Sequence, residues 1–89
     1  MNKTITLPRL GKWVKATLET TALKLMEEGG ELAQAILRGG LLDDVVEELL
    51  DVAQTAVTMM YVLEEQYGVS IDSAMEQHVA KLKGKGYLE

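Results

Sequence analysis

The 89-residue chain contains no cysteine and no phenylalanine, and it has only one proline and one histidine. Without cysteine, a disulfide framework, a thiolate metal site and a cysteine nucleophile are excluded, and a reducing compartment is permitted. No stretch approaches the roughly 20 apolar residues that span a bilayer, and the N-terminus lacks the apolar run of a signal peptide. We therefore expect a cytoplasmic protein with no membrane partner.

Positive charge is also scarce, because 9 lysines and arginines face 14 aspartates and glutamates, for a net charge of −5. A protein that grips DNA or RNA through its phosphates needs the opposite balance, so we expect no nucleic-acid polymer as partner. The acids concentrate between residues 27 and 51, whereas lysines lie toward both ends. This distribution suits an acidic cation site flanked by groups that bind phosphate.

The composition supports one folded domain. Hydrophobic residues make up 47% and charged residues 26% of the chain, which is ordinary globular usage. A chain of this length can build one small core but not two. We predict a single domain over residues 1–89, with an N-terminal segment, 1–11, set off by Pro8 and Gly11, and a basic C-terminal tail, 83–89.

Apolar residues recur at helical spacing in three stretches, and no stretch has a convincing strand pattern. The predicted helices cover residues 20 or 21 to 39, residues 43 to 68, and residues 70 or 72 to 82. Asp43 is the predicted N-cap of the second helix, and Ser70 or Asp72 can cap the third. Gly39-Gly40 and Gly68 are stop signals. A short amphipathic stretch, 10–18, is expected to precede the first helix.

These helices predict an all-α fold, an antiparallel helical hairpin with short flanking helices. The residues at helical spacing in the first helix are Ala22, Leu25, Met26, Gly29, Leu32, Ala33 and Ile36. Its predicted buried face is formed by Leu25, Gly29, Leu32 and Ile36, and the stripe of Glu28 and Glu31 is expected to lie beside that face. The second helix is apolar on both faces in its second half, so one copy cannot cover it. We therefore predict a homodimer or homotetramer in which hairpins assemble into a helix bundle.

Two pairs of acids stand one helical turn apart, Glu28 with Glu31 and Glu48 with Asp51, so each pair shares a helix face. In an antiparallel hairpin that turns at Gly39-Gly40, position 28 lies level with position 51, and position 31 lies level with position 48. The hairpin therefore predicts that all four carboxylates meet in one layer.

Four like charges in a partly covered layer repel one another and require a positive partner. Carboxylate oxygens without histidine or cysteine suit Mg²⁺, with Mn²⁺ as a further candidate. The alternative is a solvated acidic face paired with lysines. We favour the metal, because the two pairs match in spacing and height and the hairpin offers only Lys24 and Arg38 as bases.

The combined pattern, Glu27-Glu28-x-x-Glu31 followed by Glu48-x-x-Asp51, resembles that of the all-α nucleoside triphosphate pyrophosphohydrolases, the MazG-like and dimeric dUTPase-like superfamily. The similarity extends over about residues 23–87. It implies Mg²⁺-dependent cleavage between the α and β phosphates of a nucleotide, which releases a nucleoside monophosphate and pyrophosphate. It also implies that the metal ligands are Glu28, Glu31, Glu48 and Asp51.

Each of the other candidate site residues has more than one possible role. Glu27 and Glu47 are candidates for positions just behind the metal ligands or on the surface. Lys81 and Lys85 are candidate phosphate ligands, because the family often has a basic segment after its last helix; a solvated, frayed tail is the alternative. Trp13 could stack on a nucleobase, although we favour a role as an anchor of the N-terminal segment.

Two classes of function therefore remain open at this point. One is an enzyme, a nucleoside triphosphate pyrophosphohydrolase, for which the complete set of four acids argues. The other is a non-catalytic helical module that binds a metal or nucleotide in a regulatory or interaction role, for which the short chain and simple C-terminal tail argue.

Overall fold

The computed structural model describes residues 2–11 and 15–89. Three helices follow one another along the chain, α1 (Leu18–Leu37), α2 (Leu42–Tyr67) and α3 (Ile71–Gly84). The described residues contain no strand, so the all-α prediction is confirmed. No helix in this part of the chain has the length and apolar character needed to cross a membrane.

The helix starts reflect local capping. α1 begins at Leu18 because Thr17 and Thr20 form a reciprocal capping box, in which each side-chain oxygen accepts a hydrogen bond from the other's backbone N–H. The predicted N-cap of α2, Asp43, is wrong, because the cap is Leu41 and Asp43 lies in the first turn. There its carboxylate still complements the positive end of the helix dipole. Of the two candidate caps of α3, Ser70 is the one that forms, and Asp72 lies in the first turn.

The turn between α1 and α2 is a Schellman motif at the predicted stop signal. The Gly39 N–H donates to the Ile36 carbonyl and the Gly40 N–H donates to the Ala35 carbonyl. Gly39 has a left-handed φ of 69°. A β-carbon at Gly40 would lie 2.8 Å from the Ala35 carbonyl oxygen. Both glycines are therefore required to reverse the chain tightly, and this reversal makes the hairpin antiparallel.

The two long helices pack along a seam in which positions alternate by three and four residues, the spacing of a coiled coil. On α1 the seam comprises Leu18, Thr21, Leu25, Glu28, Leu32 and Ala35, and on α2 it comprises Val45, Glu48, Val52, Thr55, Met59 and Val62. Its most buried members are Thr21, Glu28, Thr55 and Val62. The core of the hairpin thus contains two threonines and two glutamates among its apolar side chains.

The predicted buried face of α1 is partly wrong. Leu25 and Leu32 are half-buried as expected, but Ile36 is exposed. Ala22 and Ala33, which share the helical spacing, are also exposed, and Met26 is 77% exposed. The seam is rotated toward Thr21 and Glu28, so Glu28 lies in the packed face and not beside it. Apolar residues cover more than half of the circumference of α1. Their pattern therefore does not determine which side of α1 faces α2.

The flanking segments differ from the prediction at the N-terminus. Residues 10, 11 and 15–17 are not helical, and residues 12–14 lie outside the described part, so the expected short helix over 10–18 is not found in what is described. The segment runs along α2, where Gln54 Nε2 donates to the Pro8 carbonyl and Gln66 Nε2 donates to the Ala16 carbonyl. It therefore covers one side of the hairpin.

Arg9 adds a second attachment of this segment to α2. Its guanidinium pairs with the Glu65 carboxylate and lies over the Tyr61 ring, 4.6 Å from the centroid. At the other end of the chain, the start of α3 lies beside α2, where Ile71 and Asp72 line a shallow pocket with Val57 and Met60.

Candidate functional site

The hairpin brings the four acidic residues together. Ligand oxygens of Glu28, Glu48 and Asp51 all lie within 4.8 Å of one another. Glu31 lies outside this group of three, one helical turn after Glu28 on α1, and its negative charge acts on Glu48. We call these four residues the acidic layer. Its two halves come from α1 and α2, so the layer exists only because the Gly39-Gly40 turn sets the register of the hairpin.

The acidic layer is incompletely neutralised. Glu28 is only 6% exposed, and its Oε1 lies 3.0 Å from Lys24 Nζ. Within residues 2–11 and 15–89, neither Glu28 Oε2 nor Glu48 Oε2 has a hydrogen-bond partner, although both atoms are buried. A buried carboxylate oxygen without a partner is costly. The site therefore has a strong physical requirement for a further positive group.

The environment raises the pKa values of one acid and one base in the site, Glu48 and Lys24. Burial raises the pKa of Glu48, and the negative charges of Glu31, Asp51 and Glu28 raise it further. The pKa of Lys24 is also raised, first by its hydrogen bond to Glu28 and then by the charges of Glu28 and Glu27. Acid and base both shift toward protonation, as expected where negative charge is in excess.

This shift predicts how pH acts on the cation-free protein. Because the folded-state pKa of Glu48 is raised, its stabilising contribution is present below the ordinary glutamate pKa and is lost as the pH rises through the raised value. A Glu48→Gln variant imitates the protonated carboxyl at every pH. In chelator at pH 7 we expect the variant to melt above the wild type, and we expect the gap to close as the pH falls through the raised pKa of Glu48 toward the ordinary glutamate range.

Thermal melts of both proteins across this pH range, in chelator, provide the measurement. A Glu47→Gln variant serves as the control, because Glu47 is the exposed neighbour and undergoes the same chemical change. A gap between Glu48→Gln and wild type that is constant with pH, or that widens toward acid, would contradict the raised pKa.

The remaining candidate residues lie at different places. Glu27 is exposed with its Oε1 3.8 Å from Lys24 Nζ, and Glu47 is exposed on α2. Lys81 and Lys85 are exposed near the C-terminal end of α3, and Lys85 Nζ lies 6.0 Å from the centre of the Tyr87 ring. Trp13 lies outside the described residues. The structure thus assembles the acids but brings neither lysine into a contact with them.

A cleft next to the acidic layer was missed by the sequence analysis. It has a volume of about 270 Å³ and lies between the N-terminal segment, the first turns of α1 and the middle of α2. It is lined by Leu10, Lys15, Ala16, Thr20, Thr21, Lys24, Gln54, Thr55 and Thr58. Lys24 is one turn from Glu28 and Thr55 is one turn from Asp51, so the cleft opens directly beside the acids.

A signal for this cleft exists in the sequence. On α2 the acidic stripe of Glu48 and Asp51 continues through Thr55 and Thr58, polar residues at the same helical spacing. A larger cleft of about 530 Å³ follows the N-terminal segment onward toward Glu65 and Gln66. The position of neither cleft could be predicted from the sequence, because the N-terminal segment forms a wall of both clefts.

Comparison with known proteins identifies the family. The model of the MazG nucleotide pyrophosphohydrolase domain matches residues 16–86. The match spans all three helices and includes the whole acidic layer, in agreement with the resemblance seen in the sequence. No curated protein and no solved structure matches the chain significantly. Because the matched region covers most of its length, the chain belongs to the MazG nucleotide pyrophosphohydrolase domain family.

Proposed function

We propose that this protein is a Mg²⁺-dependent nucleoside triphosphate pyrophosphohydrolase that cleaves between the α and β phosphates and releases a nucleoside monophosphate and pyrophosphate. The observation that carries the proposal is the pair of buried, unpartnered carboxylate oxygens, Glu28 Oε2 and Glu48 Oε2, in a layer of four acids. Membership of the family supports the reaction class. The specific metal and the bond cleaved are our proposal.

The donor set fits a small, hard divalent cation. Glu28, Glu31, Glu48 and Asp51 offer carboxylate oxygens alone, and this chemistry suits Mg²⁺ or Mn²⁺. When bound, such a cation neutralises charge on the phosphates and lowers the pKa of an attacking water. Packing in the seam holds the Glu28 and Glu48 side chains, whereas Glu31 and Asp51 are exposed and accessible to a ligand.

The other side chains have supporting roles in this proposal. Glu27 and Glu47 add negative charge at the rim of the acidic layer without being ligands. Lys81 and Lys85 remain proposed phosphate contacts, and Trp13 remains a proposed base-stacking or anchoring residue. The cleft beside the acidic layer supplies space for the nucleoside, because its wall is largely apolar.

We propose further that the protein acts as a homo-oligomer. The isolated chain exposes 7362 Å², whereas a compact monomer of this mass exposes about 5,200 Å². Its radius of gyration is 15.1 Å, against about 12 Å for a compact domain of this length. The excess surface, about 2,000 Å² per chain, is of the size that a stable subunit interface buries.

The positions of the exposed apolar residues on the two helices show where this excess surface lies. The acids and the cleft lie on one side of the hairpin. The opposite side, which we call the apolar side, carries exposed large side chains on both helices, namely Met26, Ile36, Leu42, Val46, Leu49 and Met60. Two copies joined through their apolar sides would form a four-helix bundle and leave both acidic layers free for substrate.

A nucleotide assay tests the proposed function. The protein is incubated with the common ribo- and deoxynucleoside triphosphates in Mg²⁺, and products are separated by anion-exchange chromatography. We expect monophosphate and pyrophosphate in equal amounts from at least one nucleotide, and no products in excess chelator. Orthophosphate and diphosphate as products would overturn the proposed bond. No turnover of any nucleotide would favour the non-catalytic module.

A further inference from the structure

Lys24 belongs both to the acidic layer and to the adjoining cleft. Its Nζ lies 3.0 Å from Glu28 Oε1 and 3.8 Å from Glu27 Oε1, and its side chain also lines the 270 Å³ cleft. The side chain is 55% exposed although its partner Glu28 is buried. Lys24 can therefore leave the carboxylate without disturbing the packing of the seam.

We propose that Lys24 has two successive partners, Glu28 in the cation-free protein and the phosphates of the nucleotide in the cation-loaded protein. This inference rests on the proposed function. An ammonium and a divalent cation at the same carboxylate repel each other, so occupation of Glu28 by the cation releases Lys24. A lysine has a flexible stem and three donors, which lets it follow a phosphate at the mouth of the cleft.

Most of the neutral polar side chains of the cleft already donate a hydrogen bond within the chain, and Thr20 does so to the Thr17 carbonyl. Thr21 and Thr58 donate their hydroxyl protons to the backbone carbonyls of Thr17 and Gln54, respectively. Gln54 donates its amide to the Pro8 carbonyl. The lysines of the cleft are thus its charged donors, and Lys24 is the one that borders the acidic layer. A charged phosphate held between cation and ammonium gains strong, charge-assisted hydrogen bonds.

The inference predicts effects of opposite sign in a Lys24→Gln variant. Without nucleotide, loss of the competing ammonium should strengthen Mn²⁺ binding about three- to tenfold. With saturating Mg²⁺, loss of the phosphate donor should weaken binding of α,β-methylene analogues of deoxynucleoside triphosphates about tenfold or more. Isothermal titration calorimetry of the intact protein measures both affinities, and neither readout depends on turnover.

Two further variants serve as controls. Lys24→Arg keeps the charge and should retain analogue binding, whereas Lys3→Gln removes an exposed charge outside the cleft and should change neither affinity. If Lys24→Gln weakens both ligands, or leaves analogue binding unchanged while wild type binds Mn²⁺, Lys24 is a structural ion-pair partner and the inference is wrong. If the wild type binds no Mn²⁺, the proposed function fails first and this inference fails with it.

Discussion

Glu48→Gln is expected to abolish the response of the protein to Mg²⁺ while leaving the cation-free fold as stable as wild type or more so. The substitution removes one of four mutually repelling charges and keeps the shape of the side chain. With Mg²⁺ at a hundredfold excess over its dissociation constant, wild type should gain about 2.7 kcal/mol of unfolding free energy. The variant should gain little or nothing, because one of the four proposed ligands is lost.

Activity should fall together with the Mg²⁺ response. Loss of a residue behind a metal ligand typically costs 10- to 100-fold, so loss of a ligand should cost about 100-fold or more. Thermal melts in chelator and in Mg²⁺, with Glu47→Gln as the matched control, measure the stability arm. Equal Mg²⁺ responses in wild type and Glu48→Gln would show that Glu48 is not a ligand.

Met26→Glu is expected to dissociate the oligomer. Met26 is 77% exposed in the single chain, so a glutamate there would be harmless to a monomer. In a symmetric dimer joined through the apolar sides, each interface receives two buried charges. Association should weaken about 100-fold or more, since an unpaired charge is expensive to bury.

Size-exclusion chromatography with light scattering measures this effect against the single-chain mass of 9.8 kDa. Gln34→Glu is the control, because Gln34 is also exposed on α1 but lies on a polar face, and it should keep the oligomer of the wild type. A wild type that is a stable monomer at micromolar concentration, or a Met26→Glu variant with unchanged mass, would contradict the proposed interface.

The acidic layer was predictable because it depends on only two features of the sequence. Spacing of one turn within each helix and the place of the Gly39-Gly40 reversal are enough to bring Glu28 and Glu31 near Glu48 and Asp51. Both features are local, and the turn glycines are fixed by backbone geometry. A helix boundary can shift by a few residues without moving these acids out of register, as it does at Leu18, where the Thr17–Thr20 capping box starts α1 earlier than predicted.

The rotation of α1 was not predictable from the apolar pattern. Met26 and Ile36 look like core residues, yet they are exposed, while Thr21 and Glu28 occupy the seam. A single sequence does not distinguish an apolar face that packs within the chain from one that packs against another copy. In the proposed oligomer, the face of α1 that packs on α2 and the face that packs on the second copy are both buried. The apolar pattern of the sequence includes both faces and does not separate them.

The cleft could not be predicted because it depends on long-range contacts. Its outer wall is the N-terminal segment, which is held on α2 through hydrogen bonds from Gln54 and Gln66 to backbone carbonyls. Such contacts join residues about half the chain apart and have no short sequence signature. The same reason explains why the role of Lys24 becomes visible only with the structure.

The central claim is that the acidic layer holds the catalytic cation. Anomalous diffraction from a crystal soaked in Mn²⁺ tests it most directly, because the signal locates the metal independently of any assay. We predict an anomalous peak within about 2.0 to 2.4 Å of carboxylate oxygens from both α1 and α2, including Glu28 and Glu48. If Mn²⁺ fully occupies a site elsewhere and the acidic layer shows no anomalous peak, the claim is contradicted.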